Sequence, residues 1–150
     1  MKSRILLVLS LSVLVPPVIG ADEASTEAIE TVRAFHQALV AQDKEQVLTL
    51  LSPKVLIFES GGAELSRQDY AGHHLGADME FSGATTRKVT DQQAGQEGDL
   101  AWVLTRSETS GTFRDKDLDI RGVETMLLRK TPDGWKIIHI HWSSRTRKSD

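Results

Sequence analysis

The sequence predicts an α+β domain in which three N-terminal helices pack on an antiparallel sheet. Two changes of pattern along the chain support this. Up to about residue 75 the apolar side chains recur at helical spacing, whereas from Thr85 onward they follow the two-residue alternation of strands. Turn-forming groups, Gly95-Gln96-Glu97-Gly98 and Thr131-Pro132-Asp133-Gly134, separate the later segments.

The first helix is capped by Ser25 or Thr26, and Ile29, Val32, Phe35, His36, Leu39 and Val40 keep its 3.6-residue period. Asp43 followed by Gln46 resembles a capping box and opens a short second helix through Val47, Leu48, Leu50 and Leu51. Ser52-Pro53 ends it. Val55 to Phe58 is a short strand, and Glu59-Ser60-Gly61-Gly62 turns the chain toward a third helix. Ser66 with Asp69 caps that helix, which carries Tyr70, His73, His74 and Leu75. Strands follow over residues 85–94, 100–109, 119–130 and 135–144.

Residues 1–20 read as a secretory signal peptide: Lys2 and Arg4, an apolar run from Ile5 to Val15, then small residues before Ala21. The expected mature chain, 21–150, is one domain with its core over about 25–145, exported to the periplasm or secreted. The apolar run is too short and too interrupted by Pro16-Pro17 for a membrane span, so no stable membrane insertion is expected once the leader is cut. Losing Lys2 and Arg4 reduces the 18 basic residues to 16 against 21 acidic ones, a formal charge near −5. That balance argues against nucleic acid as a partner. With no cysteine in the chain, disulfides, cysteine nucleophiles and thiolate metal ligands are excluded.

Three segments carry a family resemblance. They are Phe35 to Asp43 with its following Leu-Leu-Ser-Pro, the turn Phe58-Glu59-Ser60-Gly61-Gly62, and Asp133-Gly134-Trp135-Lys136-Ile137 leading to His141-Trp142-Ser143-Ser144. With the order of elements, they resemble the nuclear transport factor 2-like superfamily with its cystatin-like cone, and within it the SnoaL-like and related small exported proteins. The resemblance implies a strongly curved sheet, a pocket between its concave face and the helices, and homodimers through the outer sheet face. It also implies either isomerase, dehydratase or cyclase chemistry, or binding and assembly without chemistry.

Strict alternation puts Trp135, Ile137, His139, His141 and Ser143 on one face of the last strand. If Trp135 and Ile137 meet the helices, His139 and His141 enter the cone. The expected function is binding of a small apolar molecule by a histidine-lined pocket, with lyase or isomerase chemistry as the catalytic version. The catalytic candidates are His141 as base, His139 as a second polar anchor, and Glu59 or Asp78 as orienter or acid. Tyr70, His74, His36, Trp102, Arg106 and Glu124 are the candidate ligand-binding residues. Either His73 or His74 has an acid one helical turn away, Asp69 or Asp78, and His74 is favoured because it and Asp78 lie beside the apolar stripe of Ala71 and Leu75. Arg106, Arg121 and Glu124 sit in strands with apolar neighbours, where a buried charge needs a partner, while Arg145 and Arg147 belong to a solvated tail.

Two other readings use the same inventory. His139 and His141 with His74 or His36 form a nitrogen-ligand set suited to a divalent metal, although no self-contained motif such as His-Glu-x-x-His is present. Otherwise no cofactor is implied. A domain whose pocket has filled in would serve structure or assembly alone.

Overall fold

A computed structural model describes residues 21–147. The leader read from residues 1–20 lies outside the described residues. Among those described, no helix is long and apolar enough to cross a membrane.

The chain forms helix α1 (Ala21–Val40), helix α2 (Lys44–Leu50), strand β1 (Leu51–Glu59), strand β2 (Gly62–Glu64), helices α3 (Arg67–Gly72) and α4 (Leu75–Ala84), and strands β3 (Thr85–Glu97), β4 (Leu100–Phe113), β5 (Lys116–Thr131) and β6 (Gly134–Thr146). The strands make one sheet in the order β2-β1-β6-β5-β4-β3. All pairings are antiparallel except β1 with β6, which run parallel. The α+β class, with helices on one face of the sheet, is as expected.

The helices start where their caps predict. The Asp43 carboxylate accepts from the Gln46 N–H at 3.0 Å, and the Ser66 hydroxyl accepts from the Asp69 N–H at 3.0 Å. Helix α1 runs further toward the N-terminus than a cap at Ser25 or Thr26 allows. The expected third helix is also two. It breaks after Gly72, at His73-His74, so Tyr70 and His74 do not share a continuous helical face. The break brings Tyr70 against Asp78 instead: the phenol donates to Asp78 Oδ2 at 2.8 Å.

Helix α1 buries Ala28, Val32, Phe35 and Leu39 at helical spacing, against Val103, Met126, Leu128, Ile137 and Ile140 of the sheet. Each large side chain buried in this way contributes roughly 1.5–3 kcal/mol. The inward positions of β4 alternate through Ala101, Val103, Thr105, Ser107 and Thr109. From Thr105 onward they turn polar, so the core grades into a hydrophilic concavity at one end of the sheet.

Strand β6 departs from simple alternation. Leu128 pairs with Ile137 and Leu127 with His139, which leaves Ile138 as an extra residue in a β-bulge. One added residue inverts every later side chain. Ile140 is therefore fully buried and Trp142 points into the cone. His139 and His141 project from the opposite, outer face. His139 packs edge-on against the exposed Phe58, and its Nδ1 lies 2.9 Å from the Leu56 carbonyl. The expectation that His139 and His141 line the cavity is corrected by this bulge.

Trp102 and Arg106 also face outward, on the alternate positions of β4. The Trp102 indole lies over Gly95 on the neighbouring strand, where a Cβ would sit 2.2 Å from a ring carbon. Gly95→Ala should lift this indole off the sheet, lower stability by about 1–2 kcal/mol and shift the tryptophan emission. Thermal unfolding followed by fluorescence would check it; an unchanged midpoint and spectrum would mean that the indole does not rest there.

Candidate active site in the cone

A row of polar side chains crosses the concave face. In register across β1, β6, β5, β4 and β3 stand Glu59, Trp142, Glu124, Thr105 and Gln92. Glu124 is at its centre and is 6% exposed. Its Oε2 accepts the Trp142 indole N–H at 2.7 Å and lies 2.8 Å from His36 Nε2, while Arg87 reaches Oε1 at 3.4 Å. A buried carboxylate needs such partners. Burial alone would raise its pKa, but His36, Arg87 and Trp142 outweigh that effect and hold it below the usual glutamate range.

His36 comes from α1, one position round from the buried Phe35, so the helix that closes the core also delivers an imidazole to the cone. Trp142 stacks on Phe35 at 6.4 Å between ring centroids, which fixes the indole between core and carboxylate. With Glu124 ionised, His36 Nε2 carries the donated hydrogen and Nδ1 is left as an acceptor. Among the described residues Nδ1 has no hydrogen-bond partner.

The opposite wall has contrary electrostatics. Glu59, at the end of β1, and Asp78, on α4, line the same cavity of about 160 Å³ as His36, Arg87, Glu124 and Trp142. Both carboxyls are raised above their usual range, chiefly by burial. Asp78 raises Glu59 further while His74 opposes; for Asp78 the Tyr70 hydroxyl and His74 oppose, and Glu64 adds to the rise. Tyr70 is itself pushed well up by burial and by Asp78, so its phenol stays protonated and donates. Next to this wall is a second cavity of about 260 Å³, bounded by Glu59, Glu64, Tyr70, His74, Asp78 and Trp142. His74 and His73 both contact the buried Glu64 through Nδ1, and both imidazoles are largely exposed.

Of the residues selected from sequence, His36, Glu59, Asp78 and Glu124 thus meet in one cavity. Tyr70 supports Asp78 from behind, and His74 stands at the rim of the adjoining space. His139, His141, Trp102 and Arg106 do not reach it. The four histidines proposed as metal ligands lie in three separate places, and no group of three or more His, Asp or Glu among the described residues is placed to hold a metal ion. Two cavity residues, Arg87 and Trp142, were not anticipated. Arg87 alternates with Val89 in a strand whose polar sequence gives no sign of an inner face, and strict alternation would turn Trp142 away from His139 and His141, toward the outer face, because the bulge is invisible in the sequence.

The SnoaL-like domain family matches residues 29–146. The chain belongs to the SnoaL-like family. A solved structure described as a "putative ketosteroid isomerase" from Shewanella frigidimarina is 36% identical to this SnoaL-like protein, with a TM-score of 0.75, over 83% of this chain and 98% of that one. A "putative dehydratase" of the NTF2-like family from Streptomyces avermitilis is 19% identical, with a TM-score of 0.73, over 87% and 100% of the two chains. The CaMKII hub of S. rosetta is also 19% identical, with a TM-score of 0.71, over 89% and 100%. The last two show the fold alone. No curated protein matches the sequence significantly.

Proposed function

We propose that this SnoaL-like protein is an exported enzyme of the isomerase or dehydratase type, acting by proton transfer on a small, largely apolar carbonyl compound held in the cone. The observation that carries this reading is one cavity walled on one side by carboxyls raised above their usual range and on the other by a carboxylate held below it. Environments that push titratable groups apart separate acid from base. His36, oriented by ionised Glu124, is the base that removes a proton from the carbon next to the carbonyl. Asp78 or Glu59, protonated, donates to the carbonyl oxygen as the enol forms. His36, Phe81 and Arg87 also line a neighbouring space of about 470 Å³ bounded by Ile29, Val32 and Val40, which suits an apolar body. The description of the 36%-identical structure as a "putative ketosteroid isomerase" fits this chemistry. Proton transfer of this kind requires no cofactor.

The test is isomerisation of cyclohex-3-enone to its conjugated isomer, followed by ultraviolet absorbance, with deuterium uptake from D₂O followed by NMR. The wild type is expected to accelerate both, and His36→Asn to abolish both. Equal rates for wild type, His36→Asn and buffer across a panel extending to larger β,γ-unsaturated ketones would sink the reading.

A second function has its own support in the outer sheet face. Leu56, Phe58, Trp102, Leu104, Val123 and Leu127 are all exposed there. A contiguous apolar surface of this kind fits a homodimer interface. Sedimentation of wild type and Leu127→Lys would test it; a monomeric wild type would remove the proposal.

A further inference from the structure

The outer face ends in a concentration of positive charge that the catalytic reading does not use. A groove of about 540 Å³ is lined by Arg106, Arg121, Arg145, Glu108 and Ser143 among others. Arg121 and Arg145 stand directly opposite each other on β5 and β6. Arg106, in the row that also contains Val123 and Ser143, is the diagonal neighbour of Arg121. Like charges directly opposite on one sheet face repel and lower stability.

Among the described residues only Glu108, directly opposite Arg121 on β4, offsets this arrangement. Glu108 is the acid nearest Arg121, and its contact lies at 4.0 Å. The same carboxylate is engaged closely by Arg147. Arg106 and Arg145 form no ion pair with any described residue. A chain of net charge −3 therefore gathers three guanidiniums in one groove and leaves two of them without an ion pair among the described residues. Guanidinium forks match the oxygens of phosphate and sulfate in paired hydrogen bonds.

We infer that Arg106, Arg121 and Arg145, with the Ser143 hydroxyl, form a binding site for a dianionic oxyanion group, phosphate or sulfate, on the outer face of the sheet. The free ion and the head of a phosphate or sulfate ester share this chemistry. Ser107, Gly122, Val123, Ser143 and Ser144 border both this groove and the cavity of the proposed catalytic site.

Calorimetric titration of the full chain with inorganic phosphate, inorganic sulfate and phenyl phosphate tests this, alongside Arg121→Gln/Arg145→Gln. Lys44→Gln/Lys54→Gln serves as a control that removes the same charge elsewhere. Binding by the wild type is expected, weakened at least about tenfold in the arginine double variant and unchanged in the lysine control. Equal affinity for phosphate and phenyl phosphate identifies a free-ion site; tighter phenyl phosphate identifies an ester site. Absence of binding of all three probes up to roughly 10 mM, weaker than any useful specific affinity, would overturn the inference. So would equal weakening in the two double variants. None of these readouts depends on His36, Glu59 or Asp78, so the site and the proposed catalysis can fail separately.

Discussion

Glu124→Ala is expected to lower the unfolding free energy by about 3–5 kcal/mol, the range for removing one member of a buried charged cluster. The loss has several sources. Glu124 is the common acceptor for the Trp142 indole, the His36 imidazole and the Arg87 guanidinium, and alanine leaves all three facing a hole in a buried row. Glu124→Gln keeps the shape and an acceptor oxygen and should cost less than half as much. The pH dependence adds a signed test. The carboxyl lies below its usual range in the folded state, so its stabilisation is fully present above the ordinary glutamate value and is lost as pH falls through the lower folded value. The gap between wild type and Glu124→Gln in urea unfolding should therefore be constant near neutrality and close in acid. A gap that persisted unchanged through acid would show that the carboxylate's charge contributes nothing.

Asp78→Asn should act in opposite directions on stability and activity. Asp78 is raised, chiefly by burial, so its ionised form is disfavoured in the fold. The sign is then the reverse of that for Glu124. Its contribution is favourable below the ordinary aspartate value, about 3.9, and is lost as pH rises through the higher folded value. Asparagine has no charge to bury and still accepts the Tyr70 hydroxyl through its amide oxygen. At pH 7 the variant should be more stable by about 0.5–2 kcal/mol, the usual gain when a functional site is relaxed, and the gain should shrink in acid. Enone isomerisation should fall by about 10²–10⁴-fold, the typical loss of a general acid. Thermal unfolding between pH 4 and 7, with the enone assay on the same samples, checks both arms. A less stable Asp78→Asn at neutral pH would show that the ionised carboxylate is a structural partner and not a strained acid.

Local rules carried much of the fold. Asp43 and Ser66 cap as their spacing to Gln46 and Asp69 requires, because a cap is satisfied within four residues and needs no distant partner. Ser60-Gly61 and Arg114-Asp115 turn with positive φ at both residues, the geometry that matches the twist of paired strands. The amphipathic stripe of α1 was readable for the same reason, and it delivered His36 to the right surface. Glu59 is legible in the sequence through the turn after an apolar strand, and Asp78 through its spacing of one helical turn from His74.

Sequence pattern and structure part where one residue of offset matters. Alternation along β6 is a local rule, but the bulge at Ile138 is chosen by what each face must bury. With the bulge, Ile140 and Trp142 join the core and the cone; without it, two imidazoles would take their places beneath α1. Apolar burial favours the first arrangement, and no pattern in Trp135 to Ser144 announces it. The break at His73-His74 is of the same kind, since it is the packing of Tyr70 against Asp78 that sets α3 and α4 apart. By itself the sequence determined the order of the main helices and strands, though not the short β2 or the division of α3 from α4, and it supplied most of the cavity's acid and base groups. Only the tertiary structure decided which face each strand residue occupies, because that choice rests on contacts between segments far apart in the chain.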